Sequence, residues 1–362
     1  MMTAAVQNSS TVLPAYYEWK HQGADQEWMV TKIVKWAISF FQSLWSGIFV
    51  PATWLSPRTF PTIPKGWEAH SLELNVDGVK IHATMVGKTE NLNNKKWLLY
   101  SGGNGEHYEM SRLSVKKDKF FKEFNAGEYN ALFFHYPGVS HSKGRATKET
   151  MTNAYKAALS FLEDKGKGIG AEEIIGYGFS IGGGVQGEAL RTHELKEGVH
   201  YCFIKDRTFS DLSAAADGVM GGGIFGKIAA FLTRVTGWNF SSVESSKALK
   251  APEIIIQQKK FKVAEWSVTL DGSPFCYNCG PTIVANGTEE LIDTDGVITK
   301  EASLANALLS DPSWKSFSQC KHVIAVEESH CILLKDKSTE AVWDSVKSLM
   351  EKYYRKPEEA VA

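Results

Sequence analysis

Ile174-Ile175-Gly176-Tyr177-Gly178-Phe179-Ser180-Ile181-Gly182-Gly183-Gly184-Val185 is the stretch on which the reading of this chain turns. Its opening is apolar enough for a buried strand, and residues 185–190 suit a helix. Between them, Gly178-Phe179-Ser180-Ile181-Gly182 has the form G-x-S-x-G, which carries meaning only in a strand–turn–helix setting. The reason is steric. A serine pushed out of a sharp turn leaves no room for side chains two residues before or after it, so Gly178 and Gly182 must lack a Cβ. The helix that follows would direct its N-terminal N–H groups at a developing oxyanion. Ser180 is therefore read as a nucleophile. The plainer alternative is a glycine-rich turn that closes a strand.

Outward from this point the pattern is regular. Upstream, residues 70–76 and 79–86 alternate in polarity around Asp77-Gly78, a strong two-residue hairpin signal. Short apolar runs follow at 97–100, 131–134, 174–178, 201–204, 253–257 and 322–326, separated by helical stretches. Buried strands alternating with helices predict an α/β fold: a mostly parallel sheet with helices on both faces, entered through an antiparallel hairpin. No repeat or low-complexity tract interrupts it.

The run at 97–100 leads into Ser101-Gly102-Gly103-Asn104-Gly105. A loop after this strand should supply one oxyanion-hole N–H and the residue after the nucleophile the other, which selects Asn104 and Ile181. A dinucleotide-binding G-x-G-x-x-G does not fit the glycine spacing.

Phe133-Phe134-His135-Tyr136-Pro137-Gly138-Val139-Ser140-His141-Ser142-Lys143-Gly144 is similar to the Tyr-x-Gly-x-x-x-S-x-G segment that follows a strand in α/β-hydrolases. With Gly103-Asn104-Gly105 and Asp206-Arg207-Thr208-Phe209-Ser210, it resembles proteins of the α/β-hydrolase-domain-containing type and the CHLPS proteins of chlamydiae and related intracellular bacteria. The resemblance covers roughly residues 65–345, over half the chain. It implies an α/β-hydrolase fold with a small helical cap and a serine nucleophile, but no particular substrate. Here Gly102 stands where many such enzymes carry a histidine in the loop.

In this fold the acid and then the histidine follow the serine. His330, just after the run at 322–326, is the candidate general base, because ligands meet such sheets at the carboxyl ends of the strands. The acid is less plain. No Asp follows the run at 253–257; a long insertion does. Asp295, in Asp293-Thr294-Asp295-Gly296-Val297-Ile298-Thr299 before a helical stretch, is the choice, with Asp293 and Asp271 as fallbacks; a turn-forming Asp-Gly is the competing reading. Asp206 and Asp211 carry less weight, since Asp206-Arg207 reads as a structural ion pair.

Composition restricts the alternatives. Forty basic and 41 acidic residues leave a net charge of −1 across 362 residues, which gives no reason to expect a nucleic-acid partner. The five cysteines form no disulfide framework, and Cys276-x-x-Cys279 lacks the second pair that a zinc site needs; no cofactor or metal is expected. Cys202 and Cys331 read as core residues, and Lys259, Lys260 and Lys262 as a solvated loop. The expected layout is an N-terminal extension over 1–64 and a hydrolase domain over 65–355, with a cap at about 212–248 and an insertion at about 258–292. Within the extension, 1–26 is polar, a helix begins at Met29, and prolines 51, 57, 61 and 64 break the chain afterwards. Ile33, Trp36, Phe40, Leu44 and Ile48 share one helical face. That helix either docks on the core or lies at a membrane surface, for which 29–55 is the candidate segment. With no secretory signal, the expected location is cytoplasmic or peripheral to a membrane; export to a host cell is implied by the resemblance alone. The expected activity is ester or thioester cleavage on an acyl or lipid-like substrate, suggested by the apolar stretch 214–240 with Gly221-Gly222-Gly223 as a hinge. The other reading is a catalytically weak or inactive hydrolase fold that binds a partner or a membrane; a peptidase is a third.

Overall fold

The computed structural model describes residues 13–21, 29–54, 63, 65–107, 128–258, 297–330 and 332–354. Its strands are β1 (Tyr16–Trp19), β2 (Trp67–Val76), β3 (Val79–Lys88), β4 (Lys96–Ser101), β5 (Asn130–Phe134), β6 (Glu173–Phe179), β7 (His200–Asp206), β8 (Glu253–Gln258) and β9 (Lys321–Val326). The helices are α1 (Met29–Phe49), α2 (Lys148–Glu163), α3 (Ile181–Leu190), α4 (Leu212–Val219), α5 (Gly223–Val235), α6 (Ser242–Ala248), α7 (Leu304–Leu309), α8 (Trp314–Phe317) and α9 (Asp336–Tyr354).

Among the described residues the strands form one nine-stranded sheet in the order β1-β2-β3-β5-β4-β6-β7-β8-β9. The β2–β3 hairpin is antiparallel, β3 joins β5 antiparallel, and pairing is parallel from β5 through β9. Asp77 and Gly78 both take positive φ, 50° and 84°, as a tight hairpin turn matching the strand twist requires. Alternate side chains enter opposite layers: Leu99, Ile174 and Phe203 pack with α2 and α3, whereas Leu98, Ile175 and Ile204 pack with Trp343, Val346 and Leu349 of α9. Both faces are covered, so the middles of the inner strands are apolar.

The extension differs from its sequence reading in two ways, and its helix makes the core contacts of one of the two readings left open for it. Tyr16–Trp19, inside the stretch read as polar and irregular, adds a parallel edge strand against β2. Residues Pro51–Trp54 form a 3-10 turn where an extended linker is expected. Helix α1 docks through the buried side chain of Gln42, which accepts from the Lys148 N–H at 2.9 Å, and through Phe49 stacked on Trp238 at 4.9 Å. Trp36, Phe40 and Ile48, from the apolar face, remain exposed. The side chains of Ile33 and Leu44 lie outside the described residues.

Two buried polar features sit at the start of the last strands. Glu253 receives Lys205 and Lys321, each Nζ 2.9 Å from one carboxylate oxygen. Burial opposes its charge, but the two ammonium groups outweigh it and hold the carboxyl at about 2. On β9, His322 is nearly inaccessible, and its Nε2 has no hydrogen-bond partner among the described residues. Burial, with a smaller contribution from Lys352, pushes its pKa down to about 4. Between about pH 6.5 and 4 the unfolded chain therefore binds a proton at this position that the folded chain refuses. Stability from this group is complete above pH 6.5 and declines as pH falls, by about 2 to 3 kcal/mol at pH 4.5. Urea unfolding at pH 7 and pH 4.5 should show that extra loss in the parent chain and not in His322→Leu. Equal losses in both chains would refute it.

Candidate active site

The end of β6 carries Ser180, the candidate nucleophile. Ser180 adopts φ 54° and ψ −120° between β6 and α3. A positive φ at a non-glycine residue costs on the order of 1–3 kcal/mol, so the surroundings must impose it. They do: the Ser180 N–H donates to the Asp206 carbonyl at 3.0 Å, and Thr208 Oγ1 donates to the Ser180 carbonyl at 3.1 Å. The flanking glycines are obligatory. A Cβ on Gly178 would lie 2.6 Å from Gly183 Cα, and one on Gly182 would lie 2.1 Å from the Ser101 carbonyl oxygen. Both clashes are with backbone, which cannot give way without moving the turn.

The loop after β9 brings His330 over this serine. Its Nε2 lies 2.9 Å from Ser180 Oγ although 150 residues separate them. Both side chains are buried, and the imidazole rests 5.2 Å from the Phe179 ring. Asn104 and Ile181 line the same cavity as Ser180. In the β4 loop, the Gly103 N–H is taken by Glu106 Oε2 at 3.0 Å, and the same oxygen accepts from Tyr100 at 2.6 Å. Tyr136 donates to the Gly102 carbonyl at 2.9 Å and sits 2.8 Å from Ser101 Oγ. Burial pushes the Tyr136 phenol upward, which keeps it a donor. These contacts fix the loop one residue before Asn104. The sequence reading notes Tyr136 only as the tyrosine of the Tyr-x-Gly segment and does not single out Glu106; a carboxylate two residues beyond Asn104 was the available signal for Glu106.

Asp206 and Arg207 pair as expected, with Nε to Oδ1 2.7 Å and Nη2 to Oδ2 2.8 Å, and Tyr177 also donates to Asp206. The pair does more than the sequence suggests. Arg207 Nη1 donates to the carbonyls of Ser329 at 2.6 Å and Ile332 at 2.7 Å, on either side of His330. Its guanidinium also lies 5.4 Å over the Phe179 ring. Asp211 instead caps α4, accepting from the Ala214 N–H at 3.0 Å. Asp295, Asp293 and Asp271 lie outside the described residues, as do Cys276, Cys279, Cys331 and the lysines at 259, 260 and 262. No cluster of three or more His, Cys, Asp or Glu side chains able to hold a metal occurs among the described residues.

A cavity of about 410 Å³ opens beside Ser180, within the range of small-molecule sites. Its walls are Ile48 and Phe49 of α1 together with residues of α4 and α5, and nearly all are apolar. Gly221, Gly222 and Gly223, joining α4 to α5, have φ of 75°, 70° and 65°. This conformation favours residues without a Cβ, so the join is built from glycine.

A sheet in this order, with a strained serine after β6 facing a histidine beyond β9, defines the α/β-hydrolase fold. Solved structures agree on the fold. The Pyrococcus furiosus esterase Pf2001 superposes with a TM-score of 0.53 at 14% identity, over 82% of this chain and 97% of its own. An alpha-beta hydrolase from Vibrio vulnificus gives 0.52 at 14% identity, over 78% of this chain and 81% of its own. The chain belongs to the family described as Chlamydia CHLPS protein (DUF818), whose model matches residues 68–273. No curated protein matches the sequence.

Proposed function

We propose that the protein is a serine hydrolase that cleaves an ester or thioester of an acyl or lipid-like substrate through an acyl-enzyme. The observation that carries this is the 2.9 Å approach of His330 Nε2 to Ser180 Oγ at a turn of positive φ. Ser180 Oγ attacks the acyl carbonyl while His330 Nε2 takes its proton. The N–H groups of Asn104 and Ile181 receive the oxyanion, and α3 presents its N-terminus to the same point. Collapse of the tetrahedral species expels the alcohol or thiol, which takes the proton back from His330. Water, deprotonated by His330, then frees the acid. The sequence-based choice of Asp295 to orient His330 is retained as part of the proposal. The apolar cavity supports an acyl group in preference to a charged or sugar-like one.

Labelling by a fluorophosphonate probe tests the reading. Wild type is expected to label, and Ser180→Ala to remain blank. A folded wild type that does not label would move the assignment to a binding protein with a hydrolase fold.

A further inference from the structure

The apolar surface of this molecule is concentrated at one place. Of the eighteen large hydrophobic side chains exposed among the described residues, fourteen lie within 34–54 or 219–235. These are α1 with its following turn, and α5 with the glycine join before it. The two segments touch: a Cβ on Gly237, just past α5, would meet Gln42 and Ile38 of α1 within 3 Å, and Trp238 Nε1 donates to the Gln42 carbonyl at 3.1 Å. Five residues, Ile48, Val219, Met220, Phe225 and Ile228, both wall the Ser180 cavity and stand at least 49% exposed. The apolar lining of the cavity therefore continues onto the outer surface.

Charge selects the occupant. The whole chain is at −1, yet segments 29–54 and 219–235 together hold Lys32, Lys35, Lys227 and Arg234 and not one acid. An apolar face on which Lys227 and Arg234 stand exposed matches an anionic lipid surface, where acyl tails take the aromatic side chains and headgroups take these two cations. A second copy meeting it face to face would set like charges against each other and close the cavity mouth. No helix among the described residues is long and apolar enough to cross a membrane, so contact is with the surface.

We propose that this face docks on an anionic bilayer, with the mouth of the Ser180 cavity opening into the lipid. Passage of substrate from the bilayer rests on the hydrolase reading above. Docking does not, and it is therefore measured on the full chain carrying Ser180→Ala, by flotation with vesicles. Vesicles of equal phosphatidylglycerol and phosphatidylcholine should carry the protein, and pure phosphatidylcholine vesicles should carry about tenfold less, with the difference shrinking in high salt. Two surface pairs, Ile224→Glu with Phe231→Glu and Trp36→Glu with Phe41→Glu, should each lower partition by about tenfold or more. None of these four side chains lines the cavity, so in the Ser180 background both pairs should hydrolyse a soluble short-chain ester as the parent does. Absence of flotation, equal flotation on the two vesicle types, or flotation unchanged in both pairs would overturn the proposal. So would a dimer in solution that both pairs abolish, since the face would then be covered by a second copy.

Discussion

Hydrolysis of a soluble acyl ester is expected to fall by about 10⁶-fold in kcat when either Ser180 or His330 is replaced by alanine, and no further when both are. The expectation follows from geometry. One hydrogen bond, Oγ to Nε2, joins the attacking atom to its base. Once either partner is gone the other has no function, so the losses do not multiply. What survives in all three variants is catalysis by the oxyanion donors and by substrate binding, on the order of 10³–10⁴ over water. Steady-state kinetics on the three purified chains decides the matter. A double variant much slower than either single one would show that Ser180 and His330 act separately and would refute the shared proton transfer.

Arg207 should also matter to turnover although it lies outside the cavity lining. It is fully buried, stands at φ 46°, and spends its guanidinium on Asp206 and on the carbonyls of Ser329 and Ile332. In the proposed mechanism it is a positioning residue for His330: it ties the end of β7, whose Asp206 carbonyl also holds the Ser180 N–H, to the loop that carries His330. Arg207→Met leaves Asp206 buried without its counter-charge, at a cost of about 3–5 kcal/mol. Arg207→Lys is the more telling variant. It keeps the charge for Asp206 but lacks the planar fork that reaches both carbonyls. The histidine loop then shifts, and a displacement near 1 Å is enough to cost about 10²-fold in kcat. KM should change little, because Arg207 does not line the cavity. A lysine variant that folds and retains the parent kcat would reduce Arg207 to a structural ion pair.

The sequence made some of this legible and hid the rest for identifiable reasons. Inner strands such as Ile254-Ile255-Ile256 advertise themselves because both faces are buried, and Asp77-Gly78 marks its hairpin because few residues tolerate its dihedrals. The approach of Ser180 to His330 followed from chain order in this type of fold. Strand β1 was hidden: four residues reading Tyr-Tyr-Glu-Trp carry little periodicity, and their partner is 57 positions away at Tyr16–Glu73. The seating of α1 was also hidden, because Trp36, Phe40 and Ile48 of its apolar face stay outside while Gln42 is buried against the Lys148 N–H. The added roles of Arg207 and Glu106 depend on where a side chain points across two loops, which spacing along the chain does not encode. Asp295 falls outside the described residues.

The turn that follows α1 has one more consequence. The Ala52 N–H donates to the Asn104 carbonyl at 3.2 Å, and the Ala52 carbonyl lies 3.2 Å from His107 Nε2. The peptide groups of the N-terminal segment are thus wired into the loop that would cradle the oxyanion. A chain cut back to residue 65 would lose both of these contacts, so under the proposed mechanism the N-terminal segment is part of what holds the oxyanion loop in place, not an accessory to it.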